Sequence, residues 1–296
     1  MLGQLLKDSQ RYNYVYLEFD NTLDGREAAG RAIREHKPVA CIYNYVVPTL
    51  GMVVCSELFS WFPEVKHIGL MHEIWPGSFG ANNESIFPYY IALDPTFPAY
   101  NVRSFAATVR PCAQVDLTGI VLPERFTVGT LGFVSPVKKH DLMMAAVAKE
   151  YPNAAIDIHI PPNPFVPASI EENGQYFKQI GESLGLEVRL SHEFFSVPGL
   201  IRWLAGHHLN AFFFEYCNMR GISSSIDQGV AARRPIAINE CFMFRHVGGR
   251  LGWYPHKSIR QSYEENGPIV EEIFKEWSQE NFDNCYSSIV DKIIGK

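Results

Sequence analysis

Short runs rich in Val, Ile, Phe and Tyr alternate along most of this sequence with longer stretches whose apolar residues recur at helical spacing. This alternation is typical of βαβ units, in which a helix connects each strand to the next parallel strand. At 296 residues the chain is long enough for one or two packed domains. The sequence therefore predicts an α/β fold with mainly parallel sheets.

The first half of the chain predicts one small α/β layer. We expect strands at residues 14–19, 39–43 and 67–70, with helices at 25–36 and 47–62 between them. Residues 75–125 are rich in Pro, Asn and Phe and lose helical periodicity, as expected of a boundary region. Two segments inside that region, 89–94 and 102–109, are further candidate strands.

The second half predicts a complete doubly wound domain of five strands with helices between them. The strands are expected at 127–131, 155–160, 187–190, 209–214 and 236–238, and the helices at 141–150, 168–184, 197–205 and 223–232. Residues 268–294 have a broken helical spacing and predict a helix or a helix pair. We therefore expect an amino-terminal domain at 1–122, a second domain at 123–262 and helices at 263–296 that close the molecule.

Composition and charge exclude several classes of protein. The net charge of −6, without a basic stripe, argues against nucleic acid as a partner. The sequence has neither a membrane-spanning apolar run nor a signal peptide, so we expect a cytoplasmic protein. Its six cysteines never form Cys-x-x-Cys, which predicts free, buried thiols and no zinc site. The oligomeric state stays open.

The stretch "GTLGFVSPVKKHD" is the first candidate binding loop, because ligands of parallel sheets lie beyond the carboxyl ends of the strands. Gly132, Ser135 and Pro136 form a small-residue turn, and Lys138 follows just before the predicted helix. Free backbone N–H groups and a cationic side chain would converge there on an anion. The loop alone is equally consistent with a solvated turn that carries surface lysines.

The stretch "EYCNMRGISSSIDQ" is the second candidate loop, and it follows the apolar strand "LNAFFF". Hydroxyls and unpaired N–H groups at its helix start could hold a diphosphate, and Asp227 could accept hydrogen bonds from a ribose diol. Taken alone, the simpler interpretation is that the serines only cap the helix. The candidate binding residues of this loop are Glu215, Arg220, Gly221, Ser223, Ser224 and Asp227.

Together, "GTLGFVSPVKKHDLMMAAV" and the later "GISSSIDQGVAARRPIAIN" resemble the carboxyl-terminal half of glycosyltransferases of the GT-B fold, close to the retaining family 4. The resemblance implies two Rossmann-like, doubly wound parallel-sheet domains that face each other across a cleft, the first one truncated. It puts Lys138 in the place of the diphosphate lysine and Asp227 in that of the ribose-binding glutamate.

The first half carries a weaker form of the same resemblance. "VACIYNYVVPTLGMVV" and "HIGLMHEIWP" resemble two strands of that family whose ends reach the cleft. This implies that Asn44, His72 and Glu73 face the donor or acceptor sugar. A retaining reaction needs no dedicated base, whereas an inverting one would take His72, Glu73 or Asp20 as the base.

The sequence departs from the family pattern at two positions of the predicted donor site. Phe133 stands where the family has an arginine, and Met219 where it has its first glutamate, for which Glu215 is a possible substitute. One diphosphate charge is thus missing unless a nearby arginine supplies it, from among Arg220, Arg233 and Arg234. The Gly-rich first strand and turn of the family are missing as well, which leaves catalysis itself open.

The segment "YVYLEFDNTLDG" resembles the Asp-x-Asp-x-Thr strand end of haloacid-dehalogenase phosphatases. Glu18 stands where those enzymes need an aspartate nucleophile, and its extra methylene would displace the attacking carboxylate. The sequence therefore argues against a phosphatase. Glu18 and Asp20 are left as possible lining of a sugar cleft, although Asp20 or Asn21 is the simpler choice as cap of the next helix.

The resemblance implies a glycosyltransferase that moves a sugar from a nucleotide-sugar donor to a glycan or small-molecule acceptor. The leaving diphosphate requires electrostatic stabilisation, and the sequence contains no Asp-x-Asp, which favours a reaction without metal or other cofactor. Two alternatives stay open. One is a catalytically inactive GT-B-like protein that binds a nucleotide sugar, a glycan or a partner protein, and the other is a sugar-nucleotide epimerase.

Overall fold

Parallel strands form two separate sheets in the computed structural model of this chain. The structure describes residues 6, 9, 11–45, 51–71, 87–97, 103–132, 137–161, 170–217 and 221–296. The chain divides into two units, one of Met1–Pro111, Met219–Ile222 and Trp277–Lys296, the other of Cys112–Asn218 and Ser223–Glu276. Each sheet lies within one unit, and the predicted α/β fold with parallel sheets is confirmed.

The sheet of the first unit has four described strands in the order β1-β2-β3-β4, all parallel. Strand β2 is buried along nearly its whole length, as expected where helices cover both faces of a parallel sheet. Strands β3 and β4 confirm the two candidate strands of the boundary region. The four strands are β1 (Ala40–Tyr45), β2 (Lys66–Met71), β3 (Tyr89–Ala92) and β4 (Ser104–Ala106).

Two helices cover one face of this sheet, α1 (Leu23–His36) and α2 (Ser56–Ser60). The hydroxyl of Thr22 caps α1 by accepting from the backbone N–H of Gly25 at 3.0 Å. Ile33 of α1 and Leu58 of α2 belong to the core cluster on this face. The predicted helix at 47–62 is confirmed only for Ser56–Ser60 within its described part, because residues 51–55 form turns and bends.

The predicted first strand, at 14–19, is wrong. Residues 13–20 carry no regular secondary structure, and the side chains from Val15 to Glu18 are exposed. The segment begins with a continuous apolar run, as in a buried strand, but it pairs with neither sheet in the described structure. The predicted helix cap at Asp20 or Asn21 is also wrong, because Thr22 caps α1, and the Asn21 Oδ1 accepts from the Met52 backbone N–H at 2.8 Å.

The second unit contains a five-stranded parallel sheet in the order β7-β6-β5-β8-β9. The chain runs outward from β5 through β6 to β7 and then returns to the other side of β5. This order is that of a Rossmann-type sheet, and its switch point lies between β5 and β8. The strands are β5 (Thr127–Leu131), β6 (Ala155–His159), β7 (Glu187–Ser191), β8 (Leu209–Phe212) and β9 (Ile236–Ile238).

Helices flank this sheet and bury their apolar faces against it. Met143, Met144 and Val147 of α3 pack with Ile156 and Ile158 of β6 in one core cluster. The helices are α3 (His140–Glu150), α4 (Ile170–Ser183), α5 (Val197–Ala205), α6 (Ser225–Ala231), α7 (Arg245–Leu251) and α8 (Ile259–Glu276).

The last helix, α9 (Gln279–Ile294), belongs to the first unit. Phe282 and Tyr286 of α9 pack with Ile68 and Leu70 of β2, on the face of the sheet opposite α1. The predicted helix pair near the end of the chain is confirmed as α8 and α9, although α8 begins earlier than expected. None of the helices described is long and apolar enough to cross a membrane.

Candidate functional site

The two loops singled out in the sequence follow β5 and β8, the strands on either side of the switch point. Val128 of β5 lies opposite Leu209 of β8, and Gly129 lies opposite Asn210. Because the strands are parallel and adjacent, both loops leave the sheet at the same edge. The structure therefore places the described parts of both loops at the site where Rossmann-type sheets bind their ligands.

Backbone hydrogen bonds join the two loops directly. Lys138 and Phe214 form an isolated antiparallel bridge. The N–H of Lys139 donates to the carbonyl of Phe213 at 2.9 Å, and the N–H of Glu215 donates to the carbonyl of Val137 at 2.6 Å. Two predicted site residues, Lys138 and Glu215, are thereby brought together from separate parts of the sequence.

The amine of Lys138 is enclosed at the end of β5. Its Nζ donates to the carbonyl of Leu131 at 2.9 Å and lies 4.3 Å from the ring centre of Phe214. Gly132 makes this position possible, because a Cβ there would lie 1.9 Å from Nζ and because the Gly132 φ of 133° disfavours other residues. Burial lowers the pKa of the Lys138 amine to about 8.

Among the described residues, no carboxylate pairs with the Lys138 amine. Lys139 takes the Glu215 carboxylate instead, with 3.6 Å between Nζ and Oε1. His140 is buried beside this loop, and burial followed by the charge of Lys138 lowers the pKa of its imidazole to about 3. His140 is therefore neutral at physiological pH, and Lys138 is the buried source of positive charge in this loop.

The serines of the second loop bond to each other near the start of α6. Ser223 Oγ and Ser225 Oγ are 2.7 Å apart, and both residues are buried. Ser224 occupies the N-cap position but makes no capping bond through its side chain, and it is exposed. The capping expected of these serines is therefore limited to Ser223, whose Oγ lies 3.4 Å from the Ser225 backbone N.

Gly221 and Asp227 flank these serines. Gly221 is buried, and Asp227 lies in the first turn of α6 with a half-buried side chain. The carbonyl of Asp227 accepts a weak bond from the Cys112 thiol at 3.9 Å. Helix α6 has only seven residues, so an anion at this point would depend on hydroxyl and N–H groups more than on a helix dipole.

Asn239 is a site residue that the sequence reasoning missed. It directly follows β9 and is buried, and its Oδ1 accepts from the backbone N–H of Phe214 at 2.8 Å. Its Nδ2 donates to the carbonyl of the same Phe214, also at 2.8 Å. A polar residue at the end of the apolar run "PIAI" was the available signal, since the carboxyl ends of all five strands meet at one edge.

Arg233 and Arg234, two of the three arginines considered for the missing diphosphate charge, lie away from the two loops. Both precede β9, so they lie at the amino-terminal edge of the sheet, opposite the two loops. Arg233 makes two bonds of 2.7 Å to the Glu271 carboxylate, and the Nε of Arg234 donates to the carbonyl of Ala205 at 2.7 Å. Sequence proximity to Asp227 was misleading, because helix α6 separates the two edges.

The described candidates of the first unit lie in two different settings. Asn44 is the next-to-last residue of β1 and is exposed, so it lies near the carboxyl end of that strand. Glu18, which accepts from the Tyr16 hydroxyl at 2.6 Å, and Asp20 lie in the irregular segment before α1. The expectation that a strand directs these two carboxylates toward a sugar cleft was therefore wrong. The following candidates and departures lie outside the described residues: His72, Glu73, Phe133, Ser135, Met219 and Arg220.

The described residues contain free cysteines but no cluster of metal-binding side chains. All six cysteines are free, and Cys112 and Cys241 are buried while the other four are half-buried. The described residues contain no group of three or more His, Cys, Asp or Glu side chains that could hold a metal ion.

Comparison with known proteins gives a likeness in structure only. No protein-family model and no protein of curated function matches the sequence. Sucrose-phosphate synthase from Thermosynechococcus elongatus has a TM-score of 0.64 at 12% identity, over 97% of this chain and 82% of that one. Anabaena HepE in complex with UDP-glucose has a TM-score of 0.53 at 14% identity, over 92% of this chain and 79% of that one.

A third solved structure, the GtfA/B complex, has a TM-score of 0.60 at 11% identity over 92% of this chain. This chain spans only 61% of the length of that one. At such identities the likeness establishes the fold alone, and that fold is GT-B. The partial coverage is consistent with the expected shortening of the first domain.

Proposed function

We propose that this GT-B chain is a glycosyltransferase that transfers a sugar from a nucleotide-sugar donor to a glycan or small-molecule acceptor. The observation that carries the proposal is the Lys138 amine, enclosed at the switch point without a carboxylate partner among the described residues. A buried cation without a counter-ion favours an anionic ligand, because the charge of the ligand offsets the hydration that the cation loses on burial. The complex of HepE with UDP-glucose shows that the same fold accommodates such a donor.

In this proposal the two joined loops hold the donor. Lys138 neutralises the diphosphate, and the hydroxyl and N–H groups between Gly221 and Ser225 donate hydrogen bonds to it. Glu215 accepts from a sugar hydroxyl, and Asp227 accepts from the ribose diol. Negative charge grows on the diphosphate as the sugar leaves, so fixed donors and a cation lower the barrier without a metal ion.

The identity of the base depends on the stereochemistry of the reaction. If the reaction inverts the anomeric centre, a base must take the acceptor proton, and His72 and Glu73 are the candidates because they directly follow β2 in the sequence. Asp20 is a weaker candidate, because it precedes α1 in an irregular segment. If the reaction retains the configuration, the leaving diphosphate itself accepts the proton and neither residue is needed.

A donor panel tests the proposal directly. UDP-, GDP- and TDP-sugars should be screened first for a rise in melting temperature, because a ligand that binds only the folded state stabilises it by mass action. Hydrolysis and transfer of the stabilising donor should then be compared among wild type, Lys138→Ala, Asp227→Ala and the exposed-lysine control Lys149→Ala. We expect both site variants to lose turnover and the control to keep it. A flat melting temperature with every nucleotide would refute the proposal.

One observation favours a second candidate function, the binding of a nucleotide sugar or glycan without catalysis. Arg233 and Arg234 are held at the opposite edge of the sheet, so neither replaces the arginine that the family has at position 133. With Lys138 as the one cation that the described part of the two loops holds at β5, the donor would bind but the developing charge would be less stabilised. Stabilisation by a donor together with zero turnover for the entire panel would support this function instead.

A further inference from the structure

The carboxamide of Asn239 satisfies both backbone groups of one residue on the neighbouring strand extension. It accepts from the Phe214 N–H and donates to the Phe214 carbonyl, each at 2.8 Å. Only an amide side chain offers a donor and an acceptor side by side, so Asn239 acts as a one-residue extension of β9 beside β8. The pair continues the sheet beyond the last regular bonds between these two strands.

Phe214 in turn contacts Lys138 through both its backbone and its ring. Its backbone bridges to Lys138, and its ring lies 4.3 Å below Nζ. The ring also packs on Phe244, with 5.0 Å between the ring centres. The orientation of Phe214, and with it the position of the amine, therefore depends on the two bonds from Asn239.

We propose that Asn239 is a positioning residue that holds Phe214 in register and thereby keeps the Lys138 amine enclosed at the donor site. The inference rests on the proposed function only for the identity of the ligand. It differs from a purely structural role, because its effect is transmitted to one named amine on the other loop.

Loss of the carboxamide has a defined physical consequence. The N–H and carbonyl of Phe214 would be left unpaired in a buried place, so the loop after β8 must shift to reach water. Water would then reach the Lys138 amine, and its pKa would rise toward the ordinary value. The charged groups near this amine do not reverse that direction, because His140 is neutral at physiological pH and Glu215 is paired with Lys139.

The test measures the titration of Lys138 without any nucleotide. Trace acetylation with acetic anhydride across pH 6–11, read by fragment ions that separate Lys138 from Lys139, gives the pH of half-maximal reactivity of each amine. The variants are Asn239→Ala and the uncharged, similarly sized Asn239→Leu. The control is Asn266→Ala, which removes another buried asparagine that holds two carbonyls, those of Ile236 and Leu251, near the same sheet.

We expect half-reactivity of Lys138 near pH 8 in wild type and in Asn266→Ala, and about one pH unit or more higher in both Asn239 variants. An unchanged Lys138 profile in the Asn239 variants, or an equal shift in the Asn266 control, would overturn the inference. Added UDP, GDP and TDP separate the two proposals. If UDP, GDP and TDP all fail to protect Lys138 in wild type, the proposed function falls, while the shift in the Asn239 variants still decides the positioning role.

Discussion

The buried charge of Lys138 should lower the free energy of unfolding. A neutral residue of similar length at this position should remove that loss. Its pKa falls from 10.5 to about 8, because burial disfavours the charged amine. Below pH 8 the folded chain must keep a buried proton, whereas between pH 8 and 10.5 the unfolded chain binds more protons than the folded one. The free energy of unfolding should therefore rise with pH across that interval, and Lys138→Met should abolish this rise.

The magnitude follows from the pKa values. One pH unit corresponds to about 1.4 kcal/mol, so the fall to about 8 makes the charged amine cost about 2–3 kcal/mol after allowance for the half-buried state of the residue. Methionine removes that cost but also removes the bond to the Leu131 carbonyl, worth about 1.5–3 kcal/mol. The two effects nearly cancel at pH 7, so the informative quantity is the change with pH.

The assay is urea unfolding of wild type, Lys138→Met and the exposed-lysine control Lys149→Met at several values between pH 7 and 10.5. The stability of Lys138→Met relative to wild type should fall by about 2–3 kcal/mol over this range, whereas that of the control should stay constant. Tyrosine and cysteine ionisation affects all three chains alike and drops out of the difference. A difference that does not depend on pH would show that the amine is hydrated, which would refute the reasoning about the site.

Three further perturbations test other parts of the structure. Gly132→Ala should destabilise the chain by about 1–2 kcal/mol more than Gly119→Ala in thermal melts, since both glycines have positive φ but only the first collides with Lys138, whereas Gly119 has no neighbour within 4 Å. Asp157→Asn should cost about 1–3 kcal/mol at pH 7 and flatten the stability curve in acid. Although burial raises the pKa of Asp157, the hydrogen bonds from His207 and Arg189 hold it below its ordinary value, so its contribution is present above about pH 4 and is lost as the pH falls further. Glu150→Ala should cost about 1–2 kcal/mol in urea unfolding, because this carboxylate accepts from two backbone N–H groups at the start of α8, and an unchanged midpoint would contradict that role.

The bounds of several helices and strands in the second unit were predicted correctly from local sequence patterns. The predicted strands 127–131 and 236–238 and the helix 197–205 have the observed bounds. Continuous apolar runs fix buried parallel strands, and Ser196 with Pro198 marks the start of α5 by a cap and a first-turn proline. Helix α7 was missed because "GG" disfavours a helix, yet Gly248 is needed where Trp253 packs against it.

The candidate site was predictable only as far as strand order could be inferred. Lys138 and Glu215 each follow a strand, so the sequence placed both at the carboxyl edge. Asn239 was not recognised, because its role depends on a pairing with Phe214 across 25 positions of sequence. Strand pairing of that kind is set by tertiary packing, which a single sequence does not specify. The wrongly predicted strand at 14–19 has the same cause. Its apolar run is typical of a strand, but it pairs with neither of the two described sheets.

The position of α9 in the first unit has a consequence for how the chain is made. Ribosomal synthesis delivers all nine described strands before α9, so the face of the first sheet that contains Ile68 and Leu70 lacks its contacts with Phe282 and Tyr286 until then. The second unit is complete earlier and can fold while synthesis continues. The first half of the chain thus finishes folding last, and a polypeptide interrupted before Trp277 would expose an apolar sheet face to other nascent chains.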